Sequence, residues 1–417
     1  MLTKEQREEF NEILEELGNS LDISKTQYDA AVKSYTAVGE WLSKPDSILR
    51  PYGPEILPQG SFMLGTMIQP ISAEDDLDID LVCQLDFKQP SWTQKVLKNK
   101  TGDQLKANET YERMLDKEGR RCWTLKYRDN AENPKERYHM DILPCVVGSG
   151  YKSTLNEVVL KYNDISDVER LAIRITDKNR VDYESQTNEL RWLKSNPFGY
   201  AKWFYYKANV QSLRTVMLSE AVQKVPKFQT QKLPLQRVVQ ILKRHRDMMW
   251  KDRNDKDDKP ISIIITTLAG QSYNKETNVI EALQNVVSKM RSFIADTNPH
   301  TGAREYWVVN PVNNQENFAD KWKTYPKRKD NFFEWLTAVE SDIQKITQQI
   351  GKGIPMLTEA MKKPFGSELV TKTFSNYGAN KLKKRESGAM HMAAGTGMLG
   401  NTGRTPVTQH RPFGADE

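Results

Sequence analysis

The chain has 417 residues, which is enough for two domains or one large bilobed unit. Hydrophobic residues make up 38% and charged residues 28%, and a net charge of +6 is too small for this length to indicate a nucleic-acid-binding protein. The sequence has no run of about eighteen apolar residues that would predict a membrane span. It has no apolar signal core near its beginning, so we expect a cytoplasmic protein. Three scattered cysteines exclude a disulfide framework and a Cys-x-x-Cys metal site.

Two helices are predicted before residue 45. Thr3 and Gln6 have the spacing of a capping box, which predicts a helix to about Gly18. A second helix is predicted from about Asp22, because apolar side chains recur there at helical spacing. They are Tyr28, Ala31, Val32, Tyr35, Val38, Trp41 and Leu42. Three prolines between residues 45 and 54 then end the helical region.

A glycine-serine turn follows these prolines. It consists of Gln59, Gly60 and Ser61, and a short helix is predicted over 62–68. Glycine allows the backbone to approach a ligand closely, and amide N–H groups and a hydroxyl can bind phosphate oxygens. The turn therefore has the groups that bind a nucleoside triphosphate.

The stretch from Leu77 to Phe87 alternates between apolar and polar residues, which predicts a strand with one buried face. Asp78 and Asp80 leave the same face of this strand. Two carboxylates held so close repel each other unless a cation lies between them. Mg²⁺ commonly binds one or two carboxylates together with substrate phosphates. By itself, Asp-x-Asp is also typical of a solvated strand face.

A third carboxylate is predicted on a neighbouring strand. The segment Tyr138–Pro144 reads as a strand that carries Asp141, and cross-strand neighbours lie about 5 Å apart, close enough to share metal ions. His139 shares a face with Asp141, and we expect a hydrogen-bonded structural histidine there. The glycine-serine turn, Asp-x-Asp and a later strand aspartate resemble the polymerase-β-like nucleotidyltransferases. Their order favours a catalytic site over a solvated strand face.

The second half of the chain is predicted to be mainly helical. Leu235–Trp250 is a helix whose polar face carries four basic residues in a row, at 243–246, and this face is either solvated or a clamp for a triphosphate. Pro260 and Ser262 begin another helix, with the residue types that suit an N-terminus facing an anion. Residues 308–313 are predicted to form a loop.

The predicted fold is α+β: a polymerase-β-like nucleotidyltransferase core, with a mixed twisted sheet and helices, joined to a C-terminal helical lobe across a central cleft. The core with its N-terminal helices is expected over 1–205 and the helical lobe over 206–365. Residues 366–417 are expected to be a flexible, largely disordered tail, because the composition near the end cannot form a core.

Over roughly residues 50 to 350, the chain resembles the cGAS/DncV-like nucleotidyltransferases, the signalling synthases of CBASS, a bacterial antiphage defence. Five stretches carry the resemblance, and an Asn310-Pro311 to Phe318 segment is similar to the family's helical half. The five are Gln59–Thr66, Asp78–Val82, Asp141–Pro144, Ile241–Asp247 and Pro260–Leu268. No Cys/His cluster exists to build the zinc insertion of animal cyclic GMP-AMP synthase, so DNA-activated control is not expected.

The resemblance implies a mechanism. Asp78 and Asp80 would hold two Mg²⁺ ions, with Mn²⁺ as a substitute, and Asp141 would complete the metal site that activates the attacking ribose hydroxyl. Gln59, Gly60 and Ser61 would bind the donor triphosphate. Two residues of the helical lobe, Lys243 and Ser262, match phosphate contacts of the family, and Asn317 is a candidate for a base or ribose contact. The product would be a cyclic di- or trinucleotide, released with pyrophosphate.

The implied partners are NTP substrates, with ATP expected among them, and a downstream effector reached by the diffusible product. The ending His410–Ala415 is similar to tails that CBASS ubiquitin-like conjugation enzymes attach to targets, although the terminal Ala415–Glu417 departs from a simple glycine end. Two rivals stay open. One is a linear RNA- or protein-modifying nucleotidyltransferase, and the other is a sensor with a catalytically dead fold.

Overall fold

The computed structural model describes residues 3–71, 76–128, 137–148, 150–160, 165–208, 227–393, 397, 399–400 and 404–407. The chain forms two compact units. The sheet unit comprises Ile23–Gln236 and Thr297–Phe318, and the helical unit comprises Met1–Asp22, Arg237–Asp296 and Ala319–Glu417. The predicted α+β class, with a mixed sheet, is confirmed. Within the described ranges, no helix combines the length and the apolar character needed to cross a membrane.

Among the described residues of the first half, helices α1 to α7 are Lys4–Leu21, Lys25–Ser43, Gly60–Leu64, Gln94–Lys106, Glu109–Met114, Tyr151–Leu160 and Pro197–Ala208. Strands β1 to β6 are Glu55–Pro58, Leu77–Leu85, Trp123–Tyr127, Tyr138–Val146, Ile173–Ile175 and Leu193–Ser195.

In the described part of the second half, helices α8 to α14 are Pro234–Trp250, Ser262–Ser272, Val279–Lys289, Lys321–Thr324, Pro326–Gln349, Ile354–Phe365 and Ser367–Glu386. Short strands β7 to β13 are Ala295–Thr297, Arg304–Trp307, Val309–Asn310, Asn313–Asn317, His391–Met392, Leu399–Gly400 and Thr405–Pro406. The predicted loop over 308–313 is thus partly extended, since β9 and β10 pair antiparallel there.

Side-chain caps fix where the first two helices begin. Thr3 and Gln6 form the predicted capping box, and α1 follows it. A second capping box, made by Ser24 and Gln27, starts α2 at Lys25 rather than at the predicted Asp22. Each box satisfies backbone N–H groups that have no partner within the first helical turn.

Within the described residues, six strands form the main sheet, in the order β1-β2-β4-β5-β6, with β3 also pairing to β4. β2 and β4 are parallel, and the other pairs are antiparallel. The predicted alternation holds in the first half of β2, where Asp78 is exposed between buried neighbours. In the second half Val82 and Gln84 are buried too, because both faces of this inner strand are covered. The strand ends at Leu85, so Phe87 is 54% exposed and does not join the buried face as predicted.

The core of the sheet unit lies between α2 and the sheet. Tyr35 and Val38 from α2 pack in one cluster with Ile79, Leu81 and Leu125 of the strands. Burying an aliphatic side chain of this size contributes about 1.5–3 kcal/mol, so this layer holds β2 in place. Two of the cysteines, Cys83 and Cys145, are fully buried, as expected for small core residues.

The C-terminal helix α14 packs on α1 within the helical unit, so the expectation of a disordered tail over 366–417 is wrong for residues 367–386. Leu369, Val370 and Tyr377 of α14 are buried, and this apolar stripe explains why the segment folds. Lys381 and Lys384 add ion pairs of 2.8 and 2.9 Å to the Glu12 carboxylate on α1. The tail ending His410–Ala415 and the terminal Ala415–Glu417 lie outside the described residues.

The two units divide the chain differently from the predicted boundaries at residues 205 and 365. Helix α1 joins the helical unit instead of the core, because its apolar face, with Phe10, Ile13 and Leu17, is buried there. The segment Thr297–Phe318 joins the sheet unit although it follows several helices. Such exchanges between distant parts of the chain leave no signal in local composition.

Candidate active site

The glycine-serine turn lies against the strand that carries the two aspartates. β1 pairs antiparallel with β2, and the amide of Gln59, just beyond β1, donates to the Asp80 carbonyl oxygen over 2.8 Å. Gly60 has a φ of +59°, the left-handed region. A Cβ atom at Gly60 would meet the Asp80 carboxylate closer than real Cβ atoms approach other atoms. Glycine is therefore required both by the backbone and by the approach of the aspartate.

The register of β2 and β4 brings the second and third aspartates together. Asp80 lies directly opposite Asp141 on the parallel neighbour, and Asp78 lies opposite His139. The prediction that Asp141 follows on an adjacent strand is confirmed. Like charges directly opposite in a sheet are destabilising by about 0.2–1 kcal/mol, so this pair is retained at a cost in stability.

Two further side chains lie near Asp141. Thr124 on β3 is paired in register with Asp141 from the side away from β2, and its Oγ1 donates to Asp141 Oδ1 over 2.5 Å. The pKa of the Cys122 thiol is raised to about 12, first by burial and then by the negative charges of Asp141 and Asp80. Neither residue was singled out from sequence. The sequence feature that could have indicated Thr124 is its position on the strand that precedes the Asp141 strand in the chain.

His139 is hydrogen bonded, as expected. Its Nε2 atom is 2.8 Å from Asp76 Oδ2, and its Nδ1 atom is 3.9 Å from Asp78 Oδ1. Arg137 Nε lies 3.7 Å from the other oxygen of Asp76. Asp76, in the loop before β2, therefore orients a histidine on the same face as the aspartates.

The oxygen atoms of Asp78, Asp80 and Asp141 are the donor type that Mg²⁺ prefers, and the donor set fits the predicted ions. As the side chains stand, no group of three or more His, Cys, Asp and Glu side chains in the described ranges is gathered to hold a metal ion. The Asp78 side chain is 82% exposed, so packing does not fix its orientation. Adjacent strands and a shared face place the three carboxylates on one surface of the sheet.

Buried polar side chains anchor the far end of the short helix α3. Tyr205 donates from its hydroxyl to the Met63 carbonyl oxygen over 3.0 Å, and Gln236 donates from Nε2 to the Leu64 carbonyl oxygen over 2.8 Å. Both side chains are buried. They satisfy carbonyl groups that a helix end leaves without an intrahelical partner, and they hold α3 in place.

The predicted phosphate contacts Lys243 and Ser262 belong to the helical unit. Ser262 is the first residue of α9, and its hydroxyl accepts a hydrogen bond of 2.8 Å from Arg246 Nη1. Residues 243–246 are all buried, so the solvated face, one of the two alternatives for these basic residues, is excluded. His245 lies 3.4 Å from the Asp342 carboxylate. Buried polar side chains need fixed partners, and these contacts supply them for Arg246 and His245.

Asn317 lies at the end of β10 in the sheet unit, and its side-chain amide serves the backbone. Its Oδ1 atom accepts from the Val308 amide over 2.9 Å, and its Nδ2 atom donates to the Tyr306 carbonyl oxygen over 2.8 Å. This bonding is typical of a structural amide that fixes a turn. A base or ribose contact by Asn317 stays a prediction.

The geometry defines a class of protein. A mixed sheet carries Asp-x-Asp on one strand and a third aspartate on the parallel neighbour, and a glycine-serine turn lies against the second aspartate. This arrangement is that of a polymerase-β-like nucleotidyltransferase.

Comparisons with known proteins narrow the class. Residues 54–144 match the nucleotidyltransferase domain of the cyclic GMP-AMP synthase DncV-like family. The chain is 27% identical over 397 residues to a c-di-GMP synthase from Roseivirga ehrenbergii, covering 95% of this chain and 94% of that protein.

Solved structures share the fold. The Bradyrhizobium diazoefficiens CD-NTase CdnG, in complex with GTP, matches with a TM-score of 0.61 and 17% identity, over 88% of this chain and 99% of that one. CdnC of Escherichia coli MS115-1, with ATP, matches with a TM-score of 0.53 and 15% identity, over 86% and 98%. A complex of CdnC with HORMA-deltaN matches with a TM-score of 0.51 and 15% identity, over 83% and 93%. This protein is a nucleotidyltransferase, and its residues 54–144 are similar to the nucleotidyltransferase domain of the DncV-like family.

Proposed function

We propose that this protein condenses nucleoside triphosphates into a cyclic di- or trinucleotide and releases pyrophosphate. The observation that carries the proposal is the register of β2 and β4, with Asp80 opposite Asp141 and Asp78 on the same face. The likeness to a c-di-GMP synthase over nearly the whole chain supports a cyclic product and adds GTP to the expected ATP as a substrate.

In this proposal Asp78, Asp80 and Asp141 hold two Mg²⁺ ions, and Mn²⁺ can replace them. When bound, the ions supply positive charge at the attacking and leaving oxygens. The Asp141 carboxylate accepts the proton of the attacking ribose hydroxyl. The hydroxyl oxygen bonds to the α-phosphorus of the donor, the bond to the bridging oxygen breaks, and pyrophosphate leaves. A second transfer of the same kind closes the ring.

The other predicted residues bind substrate. Gln59, Gly60 and Ser61 contact the donor triphosphate through backbone N–H groups and a hydroxyl. Lys243 and Ser262 bind phosphate oxygens through their ammonium and hydroxyl groups. These roles follow from the residue types and from the family resemblance.

We further propose a role in antiphage signalling in the cytoplasm, with a downstream effector that binds the diffusible product. The solved complex of CdnC with HORMA-deltaN is a precedent for a protein partner in this family. A ubiquitin-like conjugation enzyme acting on the tail ending His410–Ala415 is a separate hypothesis. An immunoblot of cells that carry the neighbouring genes tests it, and unmodified monomer in every case would contradict it.

The first experiment incubates purified protein with ATP, GTP, CTP and UTP, singly and mixed, with Mg²⁺ or Mn²⁺. Products are treated with phosphatase and identified by mass spectrometry. We expect a phosphatase-resistant cyclic species that contains guanine or adenine. Pyrophosphate release with only linear products would instead identify an RNA- or protein-modifying nucleotidyltransferase.

Variants connect the product to the site. Asp78→Ala/Asp80→Ala should abolish product formation, whereas Asp103→Ala, an exposed aspartate on α4 of the same unit, should not change it. Product formation that survives the double substitution would contradict the assignment of the site. A protein that binds NTPs but forms no product, with or without phage-infected lysate, would be a nucleotide sensor.

A further inference from the structure

We propose that Thr124 is a positioning residue that fixes the Asp141 carboxylate for metal binding. This inference rests on the proposed function, because it assigns a task to Asp141 at the metal site. Thr124 lies on a third strand, β3, and belongs to none of the motifs found in the sequence.

The contact is built by the sheet. β4 pairs with β2 on one side and with β3 on the other, so Asp141 lies between Asp80 and Thr124. Thr124 Oγ1 donates to Asp141 Oδ1 over 2.5 Å. This separation is at the short end of the range for a hydroxyl that donates to an ionised carboxylate, which is the stronger class of hydrogen bond.

Strand β3 is itself firmly held, which a positioning residue requires. Trp123 is buried, and its indole N–H donates to the Lys98 carbonyl oxygen over 2.8 Å. Leu125 is fully buried in the core of the sheet unit. The Thr124 carbonyl oxygen accepts from the Asp116 amide over 2.9 Å. Neighbours on both sides thus lock the backbone that presents the hydroxyl.

The hydrogen bond has a chemical consequence. With Oδ1 accepting from the hydroxyl, the carboxylate is held in one orientation, and Oδ2 keeps both of its lone pairs for a cation. The bond also offsets part of the repulsion between Asp141 and Asp80, because the hydroxyl proton lies at the charged oxygen. Partners of metal-binding carboxylates commonly affect metal affinity or activity by about 10–100-fold.

The test measures Mn²⁺ binding directly. Free Mn²⁺ is titrated by electron paramagnetic resonance against the full-length protein, with and without a non-hydrolysable GTP analogue. Thr124→Val, which keeps the shape and removes the hydroxyl, should weaken Mn²⁺ binding by about 10–100-fold. Thr124→Ser, which keeps the donor, should bind close to the parent value. In the double variant with Asp141→Asn, the valine should add no further loss.

Controls separate the possible failures. Thr405→Val, at an exposed strand threonine of the helical unit, should not change Mn²⁺ binding. If Asp141→Asn weakens Mn²⁺ binding and Thr124→Val does not, the role of Thr124 is refuted and the proposed function stands. If Asp141→Asn also leaves Mn²⁺ binding unchanged, the metal assignment itself falls. Should Thr124→Val fail to fold, Thr124→Ala takes its place, and parent-like binding by it would refute the role.

Discussion

Replacing Gly60 by alanine tests the contact between the glycine-serine turn and the aspartates. Gly60 has a φ of +59°, and an added Cβ would collide with the Asp80 carboxylate. The substitution therefore does two things. It strains the backbone, and it displaces a carboxylate that we propose as a metal ligand.

The two effects have different magnitudes. An L-residue in the left-handed region costs about 1–2 kcal/mol. For a unit of this size that corresponds to a loss of roughly 2–8 °C in melting temperature. A catalytic group displaced by about 1 Å can cost on the order of 100-fold in rate, so activity should fall much further than stability.

A second glycine supplies the matched control. Gly302, in the turn between β7 and β8, has a φ of +69°, and nothing lies within 4 Å of where its Cβ would be. Gly302→Ala carries the same backbone strain without touching an aspartate. Both variants are compared by thermal unfolding and by the rate of pyrophosphate release. We expect similar losses of stability, but loss of activity only in Gly60→Ala.

Two results would refute this reasoning. Gly60→Ala with the parent rate would mean that the turn and Asp80 do not act in catalysis. Equal loss of activity in Gly302→Ala would mean that backbone strain, rather than displacement of Asp80, decides the rate.

Three further predictions concern charge and packing. Asp80→Asn should abolish activity. It should also stabilise the fold by about 0.2–1 kcal/mol, because it removes a like charge opposite Asp141. A lower melting temperature than that of the parent would contradict this prediction. Burial raises the pKa of Asp177, but hydrogen bonds from Arg120 and Arg121 outweigh the effect of burial. The pKa of Asp177 is therefore lowered. Because the pKa of Asp177 is lower in the folded protein than in the unfolded chain, its ionisation stabilises the fold at pH values above the unfolded-state pKa of about 4. This stabilisation is lost as the pH falls through the folded-state pKa. Asp177→Asn should therefore unfold more easily than the parent at pH 7, and the difference should shrink as the pH falls through the folded-state pKa; a difference that stays constant with pH would refute the pairing. Truncation before α14 should lower the melting temperature because it exposes the α1 face that α14 covers. Truncation after residue 388, which removes from the described part of the chain the buried Met390 and the short strands β11 to β13, should lower it less; equal effects would contradict the packing.

The ends of the elements show how far local patterns reach. The capping box of α1 and the strand alternation around Asp78 are encoded within a few residues, and both predictions agree with the structure. The helix α14 was missed, because its polar, lysine-rich sequence is stabilised by burial against α1 from the other end of the chain. The sequence left the basic residues of α8 open between a solvated face and a phosphate clamp for a similar reason. Their partners, such as Asp342, are distant in sequence.

The sequence by itself determined the chemistry that this protein can perform. Asp-x-Asp, a glycine-serine turn and a later strand aspartate are local patterns, and each follows from the period of a strand or the freedom of a glycine. Tertiary structure decided which groups meet. Register set Asp80 opposite Asp141, and a third strand brought the Thr124 hydroxyl to that carboxylate. Strand pairing brings together residues that are far apart in the chain. The register therefore depends on the packing of the whole sheet, which local sequence patterns do not contain.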